Sequence, residues 1–230
     1  MMKTYLAVPF SEKDEAKSLG AQWDQDKKQW YASNNETHLI ERWKINEGSV
    51  DLTGEDRLYG GNDLFVDLIP SSCWFTNVRY CVHPAEWDRL SQHIYERNNY
   101  ICECCGARSQ LEAHERWDYN HETQTQKLVR LVALCQQCHQ TTHMGYARTQ
   151  GRGEEAILHL KHVRNFTESE ITNHIKEAYD LWRERNKFDW HLDLSLITSN
   201  GIKLAKTVHK DERRDIAIDT LQNPAKKIKK

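Results

Sequence analysis

Two cysteine pairs constrain this chain more than any other feature of its sequence. They are Cys102-Glu103-Cys104-Cys105, followed by Gly106, and Cys135-Gln136-Gln137-Cys138. Two thiolates separated by two residues on a tight turn reach one ion at roughly 2.3 Å, and two such turns complete a tetrahedron. Gly106 relieves the steric strain of the first turn. The spacing favours Cys102 and Cys105 over Cys104 as ligands, and Cys73 and Cys81 read as small buried hydrophobes, with a zinc role as the alternative. Four closed thiolates leave no open coordination position, so this zinc is structural. Sites of this type contribute on the order of 10 kcal/mol or more to folding. Seven cysteines, an odd number, in a chain with no export signal argue for metal binding over a disulfide framework.

A second constellation lies between and just beyond the turns. Cys138-His139 leads to His143, and two histidines four apart project from one face of a helix, the spacing needed to share an ion. His114, in Leu111-Glu112-Ala113-His114-Glu115, is positioned to supply a third ligand from a neighbouring strand and to leave positions open for water and substrate. The alternatives are a second structural metal site or polar surface.

From Cys102 to about Tyr146 the chain resembles the HNH, or ββα-metal, nuclease family. The shared frame is CxxCG, a strand carrying a ligand-base pair, a segment ending Leu-Cys, and then x-x-Cys-His. The resemblance places His114 in the metal-ligand slot, with His139 and His143 on the helix. Glu115 stands where the family has its general-base histidine. Arg130, in Arg130-Leu131-Val132-Ala133-Leu134-Cys135, stands where it has an asparagine. A shifted register would make His114 the base but would put Ala113, which binds nothing, in a ligand slot. The resemblance thus implies His114, Glu115 and Arg130 as catalytic residues. An ionised Glu115 can take a proton from the attacking water, and the Arg130 guanidinium can stabilise the transition state. A second divalent ion (zinc, nickel, manganese or magnesium) would sit on the three histidines, and all-imidazole ligation suits zinc or nickel better.

The expected fold is α+β. It comprises a small αβ module over residues 1–46, a glycine-bearing linker over 47–63, a zinc-finger domain with helical flanks over 64–200, and a C-terminal extension over 201–230. In the first module, Lys3 to Phe10 and Gln29 to Ala32 read as strands and Thr37 to Asn46 as a helix. Ser11 to Asp14 reads as a capping box opening a helix that stops at Gly20. The pattern Leu6-Ala7-Val8-Pro9-Phe10, Trp23-Asp24 and Lys28-Gln29-Trp30-Tyr31 resembles a small uncharacterised domain of plasmid and phage DNA-processing proteins, which implies a docking role, with a protein partner. Further on, Leu64 to Ile69 reads as a strand closed by Pro70. Pro84 opens a helix burying Trp87, Leu90 and Ile94, and Thr167 with Glu170 forms a capping box before an apolar stripe of Ile171, Ile175, Ala178 and Trp182. Trp190, Leu192, Leu194 and Leu196 alternate like a half-buried strand.

The formal charge of −2 over 230 residues excludes a general polyelectrolyte binder but leaves room for local basic surface. Lys226, Lys227, Lys229 and Lys230 make a cationic tail. Asn77, Arg79, Lys127, Arg148 and Arg152 are the expected nucleic-acid contacts, each against a packing or solvated alternative. Trp117, Tyr119, Asn120 and His121 are expected in a loop near the scissile phosphate. No apolar run spans a membrane and no signal core precedes the first strand, so the chain is expected in the cytoplasm. Two functions follow: a metal-dependent endonuclease acting on DNA, or a zinc-stabilised module that binds nucleic acid or protein without cutting it.

Overall fold

The computed structural model describes residues 3–6, 8, 12–26, 29–33, 36–43, 52–74, 77–202 and 204. Two separate apolar cores divide them. The smaller contains Leu6, Ala16, Ala21, Ala32, Leu39 and Trp43, and the larger runs from Leu52 to Ile202.

The small unit pairs β1 (Lys3–Leu6), β3 (Gln29–Ser33) and β2 (Gln22–Asp24) as an antiparallel sheet in the order β1-β3-β2, with α1 (Lys13–Ser18) and α2 (Thr37–Trp43) beside it. Leu6 and Ala32 turn inward while Lys3, Tyr5 and Tyr31 alternate outward, as a two-residue period requires. β2 was not expected from the sequence. Glu12 precedes α1 without a side-chain cap, and Ser11 lies outside the described residues.

The large unit is built on a long antiparallel hairpin, β4 (Leu111–Asn120) and β5 (Thr125–Cys135), with the three-residue β6 (His191–Asp193) added parallel to β5. Leu128, Leu131, Val132, Ala133 and Leu134 are all buried, so the end of β5 near the cysteines is buried on both faces. Burying each of the larger side chains contributes about 1.5–3 kcal/mol. Before the hairpin come α3 (Val78–Cys81) and α4 (Pro84–Glu96), which buries Trp87, Leu90 and Ile94 as their spacing predicts. After it come α5 (Gln136–Thr142), α6 (Met144–Thr149), α7 (Gly153–Arg164), α8 (Glu168–Arg185) and α9 (Ser195–Thr198). The capping box at Thr167 and Glu170 is present, and Ile171, Ile175, Ala178 and Trp182 pack onto the core. Helix and sheet are therefore mixed, and among the described residues no helix is long and apolar enough to cross a membrane.

Several sequence expectations change. Residues 52–63 are not a free linker. Glu55 is bound by Arg97 (2.5 Å) and by Leu131 N (2.8 Å), Asp56 N donates to Val129 O, and Leu52 is buried. The glycines that suggest a linker supply left-handed turns instead, with Gly60 and Gly61 at φ of 71° and 56°. Residues 64–70 pair with no strand among the described residues. Their backbone groups are met singly: Val66 N donates to His174 Nε2, Asp67 N to Thr142 O, and Leu64 O accepts from Arg164. Trp117, Tyr119 and Asn120 belong to β4, because the hairpin turns only after them; only His121 is in the turn. The alternating run after Trp190 gives three strand residues before α9 begins. The lysine tail at 226–230 lies outside the described residues.

Candidate metal centres

The first cysteine turn closes on itself. Gly106 N donates to Cys102 O and Cys102 N to Ala107 O, each at 2.9 Å, and Gly106 adopts φ of 73°, which favours glycine. Glu103 N donates to Ala133 O, hooking this turn to β5. The second turn begins where β5 runs into α5, and Cys138 N donates to Cys135 Sγ. Cys102, Cys105, Cys135 and Cys138 thereby converge with all ligand atoms within 4.8 Å. Cys105 and Cys135 sulfurs are 3.6 Å apart, close to the ~3.8 Å edge of a tetrahedron whose Zn–S bonds are about 2.3 Å. All seven cysteines are free thiols.

The protonation pattern of this cluster calls for a cation. The Cys138 thiol hydrogen-bonds Cys102 and holds its proton affinity down, while Cys138 itself and the half-buried Cys105 are pushed up. The Cys102 thiolate forms easily while Cys105 and Cys138 resist, so a full set of thiolates calls for positive charge among them. The site fits a metal such as zinc. Cys104 is no part of it: burial pushes its thiol up to about 12, and it donates to Asp63 O. Cys73 and Cys81 are buried elsewhere in the core.

His114, His139 and His143 form the second group, again with ligand atoms within 4.8 Å of one another. His114 rises from β4, His139 sits within α5, and His143 terminates that helix, so a single helical turn brings the last two together. The three rings stand edge to face at 4.7–5.3 Å between centroids. His114 is 1% exposed, and neither ring nitrogen has a hydrogen-bond partner among the described residues. Two such orphaned groups cost about 1–3 kcal/mol each, and an ion among the three rings would partner one of them. Burial drives His114 well below the usual imidazole range and His143 to about 3, each reinforced by its neighbouring histidines. The neutral imidazoles that a metal requires are therefore the resting forms of His114 and His143.

Glu115 and Arg130 have structural partners. Glu115 Oε1 accepts from Val78 N at 2.7 Å, where α3 begins; burial raises its carboxyl, against that bond and the charge of His139. Arg130 donates to Tyr59 O, Gly61 O, Asn62 Oδ1 and, at 2.6 Å, Glu103 Oε2. All four partners lie outside the histidine trio.

Of the expected nucleic-acid contacts, Asn77 caps α3 by accepting from Tyr80 N, and Arg79 is exposed on that helix. Arg148 is exposed and lies over the Tyr179 ring, Arg152 is half-buried at the start of α7, and Lys127 is exposed toward the far end of the hairpin.

Two residues escaped the sequence reading. Glu112 Oε2 lies 3.1 Å from His139 Nδ1, and its signal was the two-residue step to His114, which puts both on one face of β4. His159 Nε2 lies 3.1 Å from Cys138 Sγ. It comes from α7, and only the fold reveals it.

Comparison with known proteins concerns mainly the small unit. A family described as "Domain of unknown function (DUF5710)" matches residues 3–44. The chain is 48% identical over 42 residues to a DNA primase TraC of Escherichia coli, covering 18% of this chain and 4% of that protein. A second DNA primase TraC of Escherichia coli is 59% identical over 29 residues, or 13% and 2%. The chain thus spans only a few per cent of the length of these relatives. No solved structure matches.

Proposed function

We propose that this chain is a metal-dependent endonuclease of the HNH type that hydrolyses phosphodiester bonds in DNA. The observation that carries this reading is the convergence of His114, His139 and His143 beside the cysteine cluster, on two strands followed by a helix. Three protein ligands leave room for substrate, unlike the closed four-cysteine set. An ion held there supplies a Lewis acid for the scissile phosphate. Glu115 serves as the base: burial raises its carboxyl, bringing its proton affinity nearer to neutral, and Val78 N fixes one oxygen. Through that bond α3 lies beside the base, which makes the exposed Arg79 the best-placed phosphate contact. Arg130 acts through architecture, tying the 59–62 turn to the first cysteine turn. The match of residues 3–44 to the domain of unknown function, together with the 42-residue likeness to a DNA primase, supports a setting in DNA processing, with this unit as a docking module.

The second reading, a zinc-stabilised binding module without catalysis, draws on the same structural engagement of Glu115 and Arg130. Supercoiled plasmid incubated with full-length protein and zinc, nickel, manganese or magnesium separates the two. Nicking that is lost in His143→Ala and Glu115→Gln, with DNA retention kept, supports the nuclease. Retention of DNA without nicking under every metal overturns it in favour of the binding module.

A further inference from the structure

We infer that Glu112 is a positioning residue for the histidine site, selecting the ring nitrogen that His139 presents to the ion. The inference rests on the trio being a metal site. Glu112 and His114 are two residues apart on β4 and share the face against which α5 packs. From there the Glu112 carboxylate meets His139 Nδ1 at 3.1 Å. A carboxylate only accepts, so in the neutral ring the proton resides on Nδ1 and the lone pair on Nε2.

His139 is the most demanding of the three ligands to orient. His114 is fully enclosed and His143 sits at the helix end, but the His139 side chain is 26% exposed, and Glu112 is the polar group that meets its ring nitrogen among the described residues. Without a fixed proton, the neutral ring also populates the Nε2–H tautomer, which offers the wrong nitrogen. Hydrogen-bonded carboxylates behind ligating imidazoles fix both tautomer and ring plane, and their loss weakens metal binding about 10- to 100-fold. Glu112 is 45% exposed on its side chain, so its effect comes from geometry rather than from screened charge.

The test uses full-length protein carrying one zinc per chain at the cysteines, titrated with cobalt(II) and followed by visible d–d absorption. Wild type takes up a second ion, and His139→Ala does not. Glu112→Ala binds that ion about 10- to 100-fold more weakly, whereas Glu112→Gln, whose amide oxygen still accepts from Nδ1, stays within a few-fold of wild type. Equal affinity for Glu112→Ala and wild type overturns the inference while leaving the metal site intact. Equal loss in Glu112→Gln and Glu112→Ala also overturns it, because the carboxylate would then act by charge or direct ligation. Absence of a second ion in wild type overturns the metal site itself, and the inference with it.

Discussion

Arg130 Nη2 and Glu103 Oε2 meet at 2.6 Å with both side chains less than a tenth exposed. Glu103 sits inside the first cysteine turn, and its other oxygen accepts from Ala133 N. The pair therefore joins β5 to the metal-binding turn and, through Tyr59 and Gly61, to the preceding segment. Removing one partner leaves a buried charge uncompensated, which costs about 3–5 kcal/mol. Arg130→Ala is expected to lose that much stability in urea unfolding. The double variant with Glu103→Ala should lose less than the sum of the two single variants. Strict additivity would mean that the pair is not coupled.

The cysteine cluster makes its own prediction. Its thiols resist multiple ionisation without a cation, so metal and fold are linked. Cys138→Ser, or chelation of wild type, should abolish the cooperative thermal transition of the large unit, and added zinc should restore it only in wild type. The small unit has its own core of Leu6, Ala16, Ala32, Leu39 and Trp43. A residual transition in the chelated protein is therefore compatible with the prediction, whereas an unchanged one is not.

The cysteine turns and histidine trio were legible because their information is local. A two-residue gap between thiols and a four-residue step between His139 and His143 survive any arrangement of the remaining chain. Glu112 was half legible, since strand periodicity puts it beside His114 but nothing in the sequence says that α5 covers that face. His159 was not legible, because Cys138 meets it only after α7 folds back across α5. Residues 52–70 misled for a related reason. Glycines and acidic residues read as a linker and an apolar run reads as a strand, yet Glu55 is buried against Arg97, and Val66 bonds a side chain on α8. Such pairings, 42 and 108 residues apart along the chain, leave no periodic trace.

Replacing His114 separates its structural cost from its metal-binding value. In protein loaded only at the cysteines, its two buried, unpartnered nitrogens are a liability. His114→Leu should then be neutral or stabilising in urea unfolding, while abolishing uptake of the second ion. A large loss of stability in the variant would show that the imidazole has polar partners in solution.

The same burial gives the histidine site a pH signature. His143 is held at about 3 and burial holds His114 well below its ordinary value of 6.5 as well. Between those limits the unfolded chain binds more protons than the folded one, so stability is present above about pH 6.5 and is lost as pH falls. Each residue contributes a slope of up to about 1.4 kcal/mol per pH unit. His159 and His174 are also lowered by burial and contribute a common background. Urea unfolding from pH 7.5 down to 5, on protein with zinc only at the cysteines, should therefore fall more steeply for wild type than for a His114→Leu/His143→Leu variant. Parallel pH profiles would mean that the two imidazoles are not buried in their neutral forms. Loading the trio with a second ion before the titration should raise wild-type stability at neutral pH, because an ion bound only to the folded state adds its binding free energy, while the onset near pH 6.5, set by the unfolded chain, stays in place.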